Sequence, residues 1–392
     1  MIRPDRRAFL RGALATGIAG TVAGIPSAEA APVVPVFGPH QPGIASNPRR
    51  RTVMASFDVT AQDKAELADL FAALTARVRA LSAGGPPAES GITAPSPDSG
   101  LLGPAAPGGG LLCTLGVGAS LFDDRFGLAS RKPTHLTPMQ TFANDALRPA
   151  WCHGDLSVQL SADDDDVLLH ALRDVARHTR GGMQLRWRIN GFTSPPRPSG
   201  TQRNLMGFKD GIANPAPADF DRLVWAAAGD QPWTRGGSYQ VVRLIRMLVE
   251  FWDRVSRDEQ ERMFGRSKDT GAPLDGGKET DVPNYPADPE GKVIPLDSHI
   301  RLANPRNAQT EAGRILRRGF NYDRGVDEAG DLDMGLIFIC YQQEPRRQFE
   351  AVQLRLKDEP LVDYISPFGG GYFFALPGLR DPSAGFGQGL LS

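Results

Sequence analysis

Residues 156–192 read LSVQLSADDDDVLLHALRDVARHTRGGMQLRWRINGF. Residues 156–160 alternate apolar with polar side chains, the period of a half-buried strand. Four aspartates at 163–166 then open a helix, because carboxylates are favoured at the positive end of a helix dipole. Val167, Leu168, Ala171, Leu172 and Val175 recur at helical spacing, and residues 183–192 alternate once more. The acidic run reads as solvated capping rather than a metal site.

Working outward, residues 52–57 form a short strand candidate. Thr60 is the expected cap of a helix, with Asp63 three residues on and Leu67, Leu70, Phe71, Leu74, Val78 and Leu81 on one face. Residues 111–121 read as an apolar strand. The order β-α-β-β-α-β is the ferredoxin-like motif. The second half reads in the same order around a long insertion. It offers a strand at 239–248, a helix capped by Ser256 with Glu259, a buried strand at 335–342, a helix at 346–357 and a closing strand at 372–376. The expected fold is therefore α+β, two ferredoxin-like halves at 51–196 and 197–392. Residues 82–110 are low-complexity and belong on the surface. Residues 265–332 lack strong periodicity, and a loop that long in a compact domain is usually functional.

The 392 residues are 41% hydrophobic, and 44 Lys+Arg against 45 Asp+Glu leave a net charge of −1. That balance excludes an electrostatic nucleic-acid binder. Three cysteines cannot form a disulfide framework. Cys113 and Cys340 lie in apolar runs and read as buried thiols, so thiolate metal sites are excluded.

Residues 1–30 read as an address. Arg6 and Arg7 precede Ala8, Phe9 and Leu10, then come a mildly apolar run and Ala28-Glu29-Ala30. This describes a signal peptide of the twin-arginine kind. Export of an already folded, cofactor-loaded protein to the periplasm or cell envelope is expected. Residues 31–50, rich in proline, are expected to be a flexible lead-in.

Of six histidines, His299 has distinctive neighbours: Arg301, then Asn304-Pro305-Arg306, then Arg317 and Arg318. A lone imidazole followed by arginines suits a haem, with one axial ligand and cations for two propionates. A satisfied structural histidine is the plainer alternative. The second cluster is MGFKDGIANP at 206–215. On local chemistry alone its Asp210-Gly211 is a turn, although flanking glycines also admit a flat ligand close to the backbone. No P-loop, dinucleotide fingerprint or G-x-S-x-G elbow is present.

Taken together these segments resemble the dye-decolourising (DyP-type) haem peroxidases. GFKDG at 207–211 is similar to that family's G-x-x-D-G motif. His299 through Gly319 resembles its proximal-histidine and distal-arginine stretch, and GGGYFF at 369–374 its C-terminal strand. The likeness runs from about Ser56 to Gly378. The leader and GRSKDTG at 265–271 resemble the exported, iron-uptake-associated branch of deferrochelatase/peroxidase-like proteins.

The resemblance implies two ferredoxin-like halves of the dimeric α/β-barrel kind, with one haem b in the C-terminal half. It makes His299 the proximal iron ligand and Asp210 with Arg317 the distal catalytic pair. Gly211, Ile212 and Ala213 would lie against the haem, and Asn304, Pro305 and Arg306 at a propionate edge. Asp363 would be the acidic partner of the proximal imidazole. Where some relatives carry a distal asparagine, this chain has Gly319. The implied activity is reduction of hydrogen peroxide with oxidation of dyes, phenols or other organic one-electron donors, and a homo-oligomer is expected. Trp225, Trp233, Tyr239 and Tyr322 are candidates for passing electrons from donors too bulky to reach the haem, with packing as their simpler role. Two rival readings stay open. One is iron release from haem, or ferrous-iron oxidation, beside iron-uptake membrane components; the other is a non-catalytic haem-binding module.

Overall fold

Alternation along the strands and one-sided helices build two units, of four and five strands, that share a single sheet. The computed structural model describes residues 35–104, 106–108, 110–226 and 230–392. The expected leader at 1–30 lies outside the described residues.

The first unit runs β1 (Arg51–Val59), helix Lys64–Ala83, β2 (Leu112–Gly118), β3 (Leu156–Ala162), helix Asp165–His178 and β4 (Met183–Phe192). The second runs β5 (Ser238–Met247), helix Arg257–Phe264, the two-residue β6 (Leu316–Arg317), β7 (Phe320–Val326) and β8 (Leu332–Gln342). A π-helical turn Arg346–Glu350 then enters helix Ala351–Arg355, and β9 (Ile365–Ala375) closes the unit. Hydrogen-bonded neighbours run β2-β3-β1-β4 in the first unit and β9-β5-β8-β7 in the second, all antiparallel. β9 also pairs with β2, and β4 meets β7 at Phe192 and Asn321. Eight strands therefore close into a barrel, which removes the open edges a free sheet would expose.

Burial follows the pattern. β1 is buried on both faces, one toward the barrel interior and one under the helices, whereas β4 alternates with Trp187 and Ile189 inward. Helix Lys64–Ala83 buries Leu67, Leu70, Phe71, Leu74 and Val78. Its cap is Asp63, which accepts from Ala65 and Glu66 N–H. Thr60, the expected cap, instead donates its hydroxyl to Gly181 O at 2.8 Å. The acidic run is solvated as expected at Asp164, Asp165 and Asp166, which are exposed, while Asp163 is partly buried and pairs with Arg49 at 3.3 Å.

The lead-in differs from expectation where it is described. Gln41 is fully buried and its amide reaches Leu115 O and Leu376 O at 2.7 and 2.8 Å, while Leu115 N–H donates back to it. The side chain finishes the hydrogen bonding where β2 and β9 part, and satisfying buried backbone groups outweighs the freedom of a proline-rich segment. Cys113, Cys152 and Cys340 are buried free thiols, and burial pushes Cys113 up to about 12.

Candidate active site

A cavity lies over the second unit's sheet. β5 supplies Ile245 and Met247, β8 supplies Leu336 and Phe338, and the helical segment after β8 supplies Phe349, Val352 and Leu356. These walls are apolar. The polar groups come from the loops on either side.

His299 begins helix His299–Ala303, and Ser298 before it is extended and fully buried. The imidazole Nδ1 lies 2.7 Å from Glu359 Oε2, a nearly buried carboxylate. Nδ1 therefore carries its hydrogen toward Glu359, which leaves Nε2 as the lone-pair donor of a ring that lines the cavity. Burial opposes a charge on this ring, and the charge and hydrogen bond of Glu359 outweigh it, so His299 is raised above its usual 6.5.

Asp210 Oδ1 and Arg317 Nη1 meet at 2.7 Å on the same cavity, within electrostatic reach of His299. The backbone explains why residues so far apart in sequence coincide. Asn214 accepts from Arg317 N–H at 2.9 Å and donates to Arg317 O at 3.0 Å, so one amide fastens β6 to the loop carrying Asp210. Gly211 stands at φ 104°, in the region where a side chain is strained, and this turns the chain immediately after Asp210. On the other side Lys209 is buried and bonded to Glu279, whose carboxylate also accepts from Thr201 N–H and hydroxyl at 3.0 and 2.8 Å.

Two guanidinium groups on the cavity form no ion pair among the described residues. Arg266 donates to Gly271 O at 2.6 Å and to Glu279 O at 3.1 Å. Burial, with the charge of Arg306 next, lowers its pKa. Arg306 holds a left-handed backbone at φ 55° that costs conformational energy in a non-glycine residue. The other arginines after His299 are used elsewhere: Arg301 pairs with Asp288 at 3.4 Å and Arg318 donates to Ile44 O at 3.0 Å.

Of the residues expected at the site, Asp210, Ile212, Ala213, His299, Asn304, Arg306 and Arg317 line this one cavity. Gly211 and Pro305 lie between lining residues in the chain without lining it. Asp363 is a correction: the acidic partner of the imidazole is Glu359, and Asp363 is exposed. The turn Pro360–Tyr364 buries Leu361 and bonds Tyr364 O to Leu248 N–H, which directs Asp363 to solvent. The aromatic candidates change too. Trp225, Tyr239 and Tyr322 are buried, and Trp233 packs on Phe374. Sequence reasoning missed Glu359, Asn214 and Arg266, although the last two stood within quoted motifs.

The arrangement offers one imidazole nitrogen, a carboxylate–guanidinium pair, two cations without carboxylates and apolar walls. Among the described residues no group of three or more metal-ligating side chains exists.

Comparison with known proteins gives the family. The family descriptions "Dyp-type peroxidase, N-terminal" and "Dyp-type peroxidase, C-terminal" match residues 41–193 and 201–380. The deferrochelatase of Escherichia coli (strain K12) is 47% identical, the alignment covering 99% of this chain and 97% of that one. Among solved structures, a DyP-type peroxidase from Cellulomonas bogoriensis is 36% identical with a TM-score of 0.82, covering 92% of this chain and 98% of that one. An oxyferrous complex of DtpA from Streptomyces lividans is 36% identical with a TM-score of 0.83 and the same coverage.

Proposed function

The chain belongs to the Dyp-type peroxidase family, and from that premise we propose that His299, Asp210 and Arg317 carry a haem-dependent reduction of hydrogen peroxide coupled to oxidation of organic donors. The residues fit a haem. A flat, apolar group with two carboxylates suits walls of Ile245, Leu336, Phe338 and Phe349, with Arg266 and Arg306 lacking anionic partners. His299 Nε2 would hold its iron. When bound, the haem supplies a redox-active iron that takes oxidising equivalents from peroxide and passes them to donors one electron at a time.

The chain's own groups do the rest. Asp210 Oδ1 is occupied by Arg317, so Oδ2 is the oxygen that accepts a proton from incoming peroxide and returns it to the departing oxygen, which leaves as water. Arg317 stabilises the negative charge that develops as the O–O bond breaks, a preorganised cation on a cavity whose walls are mainly apolar. Glu359 holds the Nδ1 hydrogen of His299 and makes the ring a stronger donor. The observation that carries this reading is the meeting of the His299–Glu359 and Asp210–Arg317 pairs on one cavity.

The test is reconstitution with haemin. A Soret band that shifts on adding peroxide, dye oxidation, and loss of haem in His299→Ala are expected. Full haem occupancy with an unchanged spectrum in that variant would overturn the ligand assignment.

The identity with deferrochelatases favours a second reading, in which the same cavity releases iron from haem. Protoporphyrin accumulating from added haem would support it. Twin-arginine export to the periplasm, iron-uptake membrane partners and a homo-oligomer belong to this proposal as well, the first supported by the residues around Arg6 and Arg7.

A further inference from the structure

A loop of the first unit reaches a residue of the cavity wall. Residues 142–153 follow β9: Ala146 N–H donates to Pro367 O at 2.9 Å, Arg148 N–H to Phe368 O at 2.8 Å and His153 N–H to Gly370 O at 2.7 Å. The glycines of GGGYFF make this approach possible. A Cβ at Gly369 would stand 2.5 Å from Trp151 O, and one at Gly370, where φ is 123°, would stand 2.0 Å from Val242 O. The close passage brings Asp145 to Arg243 of β5.

Asp145 accepts from Phe142 N–H at 2.9 Å through Oδ2 and from Arg243 Nη2 through Oδ1. The Arg243 guanidinium also lies over the Phe142 ring, 5.4 Å from its centroid. Arg243 alternates with Ile245 and Met247 along β5, pairs across to Phe338 of β8, and lines the cavity with all three. Both partners are buried, the Arg243 side chain 2% exposed and that of Asp145 0%. Arg243 Nη1 is buried as well and has no hydrogen-bond partner among the described residues. An unpaired donor on a buried cation is among the more expensive polar groups a fold can carry, so the atom calls for an acceptor.

We propose that Arg243, held by Asp145, is an oxyanion site on the cavity that takes a carboxylate, either a haem propionate or the acid group of a small aromatic ligand lying against Phe338 and Phe349. This rests on the haem reading. Asp145 engages one prong of a rigid fork, so the direction of the other prong is fixed, and a planar guanidinium matches a carboxylate in geometry as well as charge. The neighbouring walls are Phe338 and Phe349, which offer an anion no competing donor. Asp145 is thus a positioning residue supplied by the first unit. It also cancels the charge of Arg243, so the site selects by a directed N–H rather than by a net positive field.

The experiment uses the haem-loaded protein, with protohaem dimethyl ester as a haem lacking carboxylates, benzoate as a free acid and benzyl alcohol as its uncharged counterpart. Removing Arg243 alone would strand Asp145, so Arg243→Leu is combined with Asp145→Leu, an exchange that buried ion pairs commonly tolerate. Arg243→Lys is the second variant, because a lysine paired with Asp145 has no second prong. For a propionate, both variants should lose haem to apomyoglobin about tenfold faster than the native protein, and dimethyl-ester haem at the native rate. For a free acid, haem transfer should stay native while the benzoate dissociation constant, read from the Soret band, rises about tenfold and that of benzyl alcohol does not move. Native haem transfer and native benzoate binding in the double variant would overturn the site. Equal losses with the dimethyl ester, or with benzyl alcohol, would show only a loosened wall and would overturn it too. A native protein that takes up no haem would instead overturn the haem reading beneath it.

Discussion

Glu359 stands 60 residues beyond His299 in the chain and 2.7 Å from its Nδ1. Its carboxylate has two consequences: it fixes which ring nitrogen faces the cavity, and it raises the electron density of that nitrogen. Glu359→Gln keeps the volume and a hydrogen bond but removes the charge. Haem affinity or peroxidase activity should fall about 10- to 100-fold, with a shifted haem spectrum. Haemin titration of the two proteins decides it, and equal affinities and spectra would show that the contact is only structural.

Asp210 and Arg317 are paired at 2.7 Å, yet they should separate in kinetics. Arg317→Leu removes a fixed charge from a cavity with apolar walls, for a loss of about 10²–10³ in the rate of the peroxide step. Asp210→Asn keeps the shape and removes the base, for roughly 10²–10⁴. Water entering the cavity can replace a base but not a fixed cation, so Arg317 is the less replaceable residue. Stopped-flow mixing with peroxide measures both, and near-native rates in both variants would remove the pair from the chemistry.

Asn214 bonds both sides of the Arg317 peptide. Asn214→Ala frees β6 to shift relative to the Asp210 loop, and a displacement near 1 Å can cost about 10²-fold. The loss should vanish in an Arg317→Leu background, because no guanidinium is then left to misplace. Additive losses in the double variant would mean that Asn214 serves the fold alone.

Much of this architecture was legible because strands announce themselves by period two. The alternation over residues 183–192 has the same bounds as β4, and Ser256 caps its helix as its sequence predicts. Closure of the barrel was not legible, since β4 and β7 meet through Phe192 and Asn321 alone, and no local pattern marks such a contact. Glu359 and Asp363 illustrate the limit at the site. Both are acids near the same turn, four residues apart, and only the turn's direction decides which one reaches His299. Arg266 was visible as part of a motif, but its lack of a carboxylate partner is a property of the folded chain.

Export offers a test independent of the haem site. Arg6-Arg7→Lys-Lys should leave folded, haem-loaded protein in the cytoplasm, because a receptor reads the pair and folding does not use it. Fractionation with a Soret measurement on each fraction is sufficient. Continued export of the variant would sink the twin-arginine reading.

The Lys209–Glu279 pair predicts how the site responds to acid. Burial tends to raise Glu279, but hydrogen bonds from Lys209 and Thr201, with the Lys209 charge, hold it below its usual 4.5. A carboxyl depressed in the folded state contributes stability that is complete above its unfolded value and is lost as pH falls through the folded value. Glu279→Gln should therefore cost about 1–2 kcal/mol near neutral pH, between the limits for exposed and buried pairs. That difference should begin to shrink below pH 4.5 and be gone once pH has passed the lower folded value, where the native protein protonates Glu279 and loses the same interaction. Because Lys209 adjoins Asp210, the variant should also slow the peroxide step at neutral pH. Denaturant midpoints of both proteins across the acid range measure the first effect and stopped flow the second. A stability difference that is constant or widens on acidification would show that the pair does not hold this loop.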